Sequence, residues 1–81
     1  MPVKAYVLVN VEIGKEHEIK EKILQIPGVK EAHVTYGDWD IIIRAIVDRL
    51  SGLDELVGKV RMIKGVTHTS TLVAIREEDV E

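Results

Sequence analysis

Two stretches of this chain are apolar on both of their alternating faces, and strands of that kind must be covered on each side. Ala5 to Glu12 (A-Y-V-L-V-N-V-E) is interrupted within its length only by Asn10, and Asp40 to Val47 (D-I-I-I-R-A-I-V) only by Arg44. Both read as central strands of one sheet. What lies between them must supply the cover and the edges.

Glu16 to Gln25 places Ile19, Ile23 and Ile26 at helical spacing, with acids leading at the end where the helix dipole is positive. Pro27-Gly28 stops this helix. Val29 to Tyr36 then alternates Ala32, Val34 and Tyr36 against Glu31, His33 and Thr35, the pattern of a half-exposed edge strand. Later, Ser51-Gly52-Leu53-Asp54 has the form of a capping box with Asp where Glu is usual, and Leu53, Leu56, Val57, Val60 and Ile63 form one stripe of a second helix ending near Lys64-Gly65. Val66 to Ile75 is strongly β-prone and supplies a fourth strand, ahead of a charged tail expected to fray.

The order βαββαβ contains an echo. Ile26-Pro27-Gly28-Val29 closes the first helix as Ile63-Lys64-Gly65-Val66 closes the second, and each opens a strand. Two interleaved right-handed βαβ units give an antiparallel four-stranded sheet, order 4-1-3-2, with both helices on one face. The expected fold is therefore an α+β, ferredoxin-like sandwich over residues 1–76, followed by the tail at 77–81. Helices can cover only one side of that sheet. On the other, Tyr6, Leu8, Ile42 and Ile46 would meet water, and a chain of 81 residues has little core to spare. A sheet-to-sheet dimer is expected, with Asn10 and Arg44 as its internal polar groups.

Net charge is -3 and the sequence pI about 5.6, with Lys and Arg scattered among the acids, which disfavours direct nucleic-acid binding. Trp39, Tyr6 and Tyr36 are too few for a base-stacking platform. There is no cysteine, the amino terminus lacks the pattern of a signal peptide, and no apolar run approaches the ~20 residues of a membrane span, so a cytoplasmic protein without membrane contact is expected. His17, His33 and His68 lack metal-ligand spacing, and no phosphate-binding or nucleophile motif occurs. No cofactor, metal or catalytic residue is expected.

The remaining feature is Tyr36-Gly37-Asp38-Trp39-Asp40, where two carboxylates flank the only tryptophan between two strands. Glycine permits a φ > 0 turn, and the amides and carboxylates of such a turn can hold a small polar molecule. Thr67, Thr69, Ser70 and Thr71 add hydroxyls on the last strand. An acidic turn with a hydroxyl ladder suits a zwitterion, acids meeting its ammonium and hydroxyls or amides its carboxylate.

Pro27-Gly28-Val29, then Tyr36-Gly37-Asp38-Trp39-Asp40-Ile41-Ile42-Ile43, then Gly65-Val66-x-x-Thr69-x-Thr71 resembles the RAM domain of the leucine-responsive (Lrp/AsnC) transcription regulators over essentially the whole chain. The resemblance implies a ferredoxin-like dimer assembled into a ring of about four dimers, with amino-acid effectors bound between dimers. It places Gly37, Asp38, Trp39 and Asp40 in the effector loop, with Asp40 contacting effector and Asp38 shaping the turn. Thr69, Ser70 and Thr71 fall on the matching final strand, and Val34, Tyr36 and Leu50 on the pocket walls. In that family a helix-turn-helix precedes the domain, whereas this chain begins in the first strand; the resemblance thus implies a stand-alone module acting through mixed assembly with full-length Lrp/AsnC regulators. Two other readings keep the same strand order: a small dimeric α+β barrel enzyme of the monooxygenase type, and an ACT-like amino-acid sensor, whose site usually follows strand one.

Overall fold

Val3–Val11 forms the first strand, β1, and its burial alternates strictly: Ala5, Val7, Val9 and Val11 are buried, while Tyr6, Leu8 and Asn10 are half-buried on the opposite face. In the computed structural model, which describes residues 2–75, β1 is one of two central strands. The other is β3, Ile41–Val47, where Ile41, Ile43 and Ala45 share the buried face with the odd residues of β1. The edges are β2, Val29–Val34, and β4, Val66–Val73, giving the antiparallel order β2-β3-β1-β4. This is the expected order 4-1-3-2, counted from the other edge.

Helices α1, Glu16–Leu24, and α2, Leu50–Arg61, lie over the odd face. Ile19 and Ile23 from α1 and Leu56 and Val60 from α2 close the core against Val7, Val9, Ile41 and Ile43, and Leu53 of α2 is buried as well. Ile26, Val57 and Ile63, expected on the same stripes, pack against it from the margins. These side chains pack together beneath the helices.

The repeated elbows match in detail. Val29 N–H donates to Ile26 O and Val66 N–H to Ile63 O, each at 3.2 Å. Gly28 and Gly65 then take φ of 98° and 103°, and their carbonyls accept from the central strands, Gly28 O from Ile46 N–H at 2.9 Å and Gly65 O from Glu12 N–H at 2.8 Å. A side chain would be crowded at both: a Cβ on Gly28 would lie 3.0 Å from Leu56 Cδ1, and one on Gly65 2.9 Å from Ile19 Cδ1.

Three expected boundaries shift. The capping box at Ser51 to Asp54 does not start α2; the helix begins at Leu50, and the extended Arg49 before it has no side-chain cap. The Arg49 carbonyl accepts the first bonds, from Gly52 and Leu53 N–H, because the chain turns into the helix directly after β3. Strand β2 ends at Val34, so Tyr36 is a fully exposed turn residue and not part of the edge alternation. Strand β4 ends at Val73, although Ala74 N–H still donates to Lys4 O at 2.8 Å. The charged tail, and with it the boundary at residue 76, lies outside the described residues.

Candidate functional site

Six residues, Thr35 to Asp40, connect β2 to β3. Thr35 closes this turn twice: its N–H donates to Asp40 O at 2.8 Å, and its hydroxyl donates to Trp39 O at 2.7 Å. Gly37 has φ of 119° with open space around it, so glycine is needed there for backbone conformation and not for room.

Asp40 ties the turn to β1. Pairing of β1 with β3 stops at Val9 opposite Ile41, yet β1 continues to Val11, whose N–H points to the same side two residues on. An unmet amide there would be costly, and Asp40 Oδ2 accepts it at 2.9 Å. The Asp40 N–H is shared between Val9 O at 2.9 Å and Asn10 Oδ1 at 3.1 Å. Asn10, on the open face of β1, thus binds within the chain at the turn. Asp40 thus shapes the turn itself, whereas Asp38 is exposed and makes no hydrogen bond or ion pair among the described residues. Asp40 nevertheless lines a cleft, and its Oδ1 is not used by Val11.

That cleft, about 320 Å³, lies between the turn and the start of α1 and is lined by Glu16, His17, Val34, Thr35, Tyr36, Gly37 and Asp40. Of the sequence candidates it gathers Val34, Tyr36, Gly37 and Asp40. A second cleft of about 370 Å³ joins the end of α2 to the start of β4 and is lined by Arg61, Val66, Thr67, His68 and Thr69. Asp38, Trp39, Ser70, Thr71 and Leu50 line neither.

The expected hydroxyl ladder divides. Thr69 and Thr71 stand opposite Val9 and Val7, on the helix-covered face, whereas Ser70 stands opposite Leu8 on the open one. Strand β4 is also separated from the turn by β1. Leu50 lies at the far end of β3 from the turn, a strand length of roughly 20 Å, so one chain cannot bring it to Asp40. Glu16, His17 and Thr35 line the cleft although sequence reasoning passed over them; the helix start folds back over the hairpin only through the topology.

On the open face, Arg44 is already paired. Its Nε donates to Glu31 Oε2 at 2.9 Å, and His33 Nε2 donates to Glu31 Oε1 at 3.0 Å. The His33 hydrogen bond first, and then the Arg44 guanidinium, hold the Glu31 carboxyl below its usual range. Among the described residues no group of three or more His, Cys, Asp or Glu could hold a metal ion, and no helix is long and apolar enough to cross a membrane.

The sequence matches the family described as the Lrp/AsnC ligand binding domain over residues 4–79. It is 36% identical over 81 aligned residues to an uncharacterized HTH-type transcriptional regulator, PF0250, of Pyrococcus furiosus, covering 91% of this chain and 54% of that protein. The crystal structure of FFRP-DM1 superposes with a TM-score of 0.85 at 42% identity, covering 90% of this chain and 99% of that one. The regulator NMB0573 of Neisseria meningitidis, solved as an L-Met complex, shares the fold at a TM-score of 0.82 and 15% identity, over 96% of this chain and 53% of its own. The chain spans about half the length of the curated regulators it matches. With all but the first residue of the βαββαβ unit inside the matched range, the chain belongs to the Lrp/AsnC ligand-binding domain family.

Proposed function

We propose that this domain is a non-catalytic, effector-binding regulatory module whose effector is an amino acid held at the Thr35–Asp40 turn. The observation that carries this reading is the anchoring of Asp40: one carboxylate oxygen and its amide hold the turn to β1, so the cleft beside it is preorganised and binding need not order a loop. Oδ1, Asp38 and Glu16 offer acceptors to an ammonium group, while Val34 and Tyr36 offer apolar wall. The L-Met complex of the Neisseria protein supports the same class of ligand.

The separate position of the β4 hydroxyls and of Leu50 favours a site completed by another copy. In the full reading, copies pair through the open sheet face, where Tyr6, Leu8, Ile42 and Ile46 are half-buried and Leu72 is 50% exposed, and dimers then close into a ring with effector between them. Mixed assembly with full-length Lrp/AsnC regulators in the cytoplasm would pass effector occupancy to transcription, provided effector binds one assembly more tightly than another.

Isothermal titration across the common amino acids tests the ligand. Asp40→Asn retains an acceptor for Val11 N–H but removes the charge, so binding should fall by about tenfold or more, a differential of ~1.4 kcal/mol, with the melting temperature little changed. Heat from none of the amino acids would overturn the proposal. Co-purification with a co-expressed family regulator tests the mixed assembly, and its absence would remove that part alone.

A further inference from the structure

The open face of the sheet is mostly apolar through its middle and titratable toward its edges. Tyr6, Leu8, Ile42 and Ile46 are half-buried there in a single chain. On the β2 side stands one charged cluster: Glu31 lies opposite Arg44 of β3, and His33, two residues on, lies opposite Ile42. Both Glu31 oxygens are taken, Oε2 by Arg44 Nε at 2.9 Å and Oε1 by His33 Nε2 at 3.0 Å. Arg44 is thus the charged group that β3 sets beside the imidazole, whereas α1, which also packs on β2, does so from the covered side. Lys4 and Tyr6 of β1 and His68 of β4 share the open face, opposite Ile46, Arg44 and Asn10, and Asp40 at the turn is bound to Val11 N–H.

One proton decides the charge of this cluster. With His33 neutral, its Nε2–H meets Glu31, and the carboxylate balances the Arg44 guanidinium. With His33 protonated, the cluster carries one positive charge, and a second donor, Nδ1–H, that is bonded to no described residue. A two-fold contact doubles that charge, since each copy brings its own imidazolium into the same interface. Withdrawing uncompensated charge from water is unfavourable, and an unmet donor adds to the cost. We propose, on the sheet-face pairing described above, that protons control it: copies pair while His33 is neutral, and protonation of His33 in both copies opposes pairing. The paired state then binds fewer protons than the free chains, so association weakens as pH falls through the range, about pH 8 to 5, in which an imidazole changes charge. Glu31 does not share this titration, because His33 and then Arg44 hold its carboxyl below the usual range. His68, across the face on β4, adds charge of the same sign.

Sedimentation of the full chain over a concentration series at pH 8 and pH 6, without any amino acid, tests the proposal against His33→Gln, which keeps an N–H for Glu31 but takes up no proton. Net charge moves toward zero near the sequence pI of about 5.6, which by itself favours association on acidification; that change is shared by the variant and cancels in the comparison. Relative to His33→Gln, the wild-type dissociation constant for pairing should rise about tenfold between pH 8 and pH 6, roughly threefold for each of the two imidazoles. His33→Lys, a permanent cation, should pair weakly at both pH values, and circular dichroism checks that each variant is folded. The same pH response in wild type and His33→Gln, or wild-type pairing that tightens relative to the variant at pH 6, would overturn proton control and leave sheet-face pairing intact. A wild-type chain that stays monomeric at both pH values would instead remove the pairing itself, and the proton control with it.

Discussion

The two faces of the sheet use the same strands and the same alternation, but they settle their side chains differently. On the covered face every residue of β1 and β3 is aliphatic, all but the terminal Val3 and Val47 are buried, and among the described residues no charged or polar residue is buried. On the open face Tyr6, Leu8, Ile42 and Ile46 surround Arg44, whose charge is matched by Glu31 on the neighbouring strand. A face that is permanently covered can be wholly apolar. The open face instead carries an ion pair among half-buried apolar groups, which limits the cost of leaving it uncovered.

Adjacent residues of β3 provide the largest test of this contrast. Ile43→Ala removes a fully buried side chain from the core between helices and sheet, and should lower unfolding free energy by about 2–5 kcal/mol in urea denaturation. Ile42→Ala, one residue on, should cost the single chain much less and instead weaken sheet-face association, measured by sedimentation. Equal losses of stability at both positions, with association unchanged, would break the distinction between the faces.

The glycines sharpen it further. Gly65 and Gly37 both have positive φ, but a Cβ on Gly65 meets Ile19 on the covered side at 2.9 Å, whereas Gly37 on the turn faces open space. Strain from the conformation alone is of order 1 kcal/mol, and the clash adds to it. Gly65→Ala should therefore lower the melting temperature more than Gly37→Ala. The reverse order would mean that the turn, and not the elbow, is the stricter backbone constraint.

What could be read from sequence follows the same division. The two doubly apolar runs located the central strands, and the repeated Ile-x-Gly-Val located both elbows, because these features are local and their periods short. The start of α2 was misplaced because the Ser51 pattern is local while the helix begins where β3 releases the chain. The turn motif singles out Asp40, but its bond to Val11 depends on how far β1 outruns β3, a register that no single segment encodes. The grouping of Thr69, Ser70 and Thr71 was a different case. Period-two alternation by itself separates Ser70 from the two threonines, and composition obscured what geometry already required.

The smallest expected effect lies in the Glu31 cluster at the border of the open face. His33 and then Arg44 hold the Glu31 carboxyl below its usual 4.5 in the folded chain, so the folded state binds that proton less readily than the unfolded one. Its contribution is therefore fully present above the ordinary carboxylate range and disappears as pH falls through the lowered folded value. Because the cluster is solvent-exposed and screened, the effect on a single chain should be slight. Urea unfolding of wild type and Glu31→Gln between pH 7 and pH 2 should show a small wild-type advantage at neutral pH that closes toward the acid end. An advantage that grows on acidification would reverse the sign of the coupling and show that Glu31 is better accommodated protonated, leaving Arg44 an uncompensated charge on the open face.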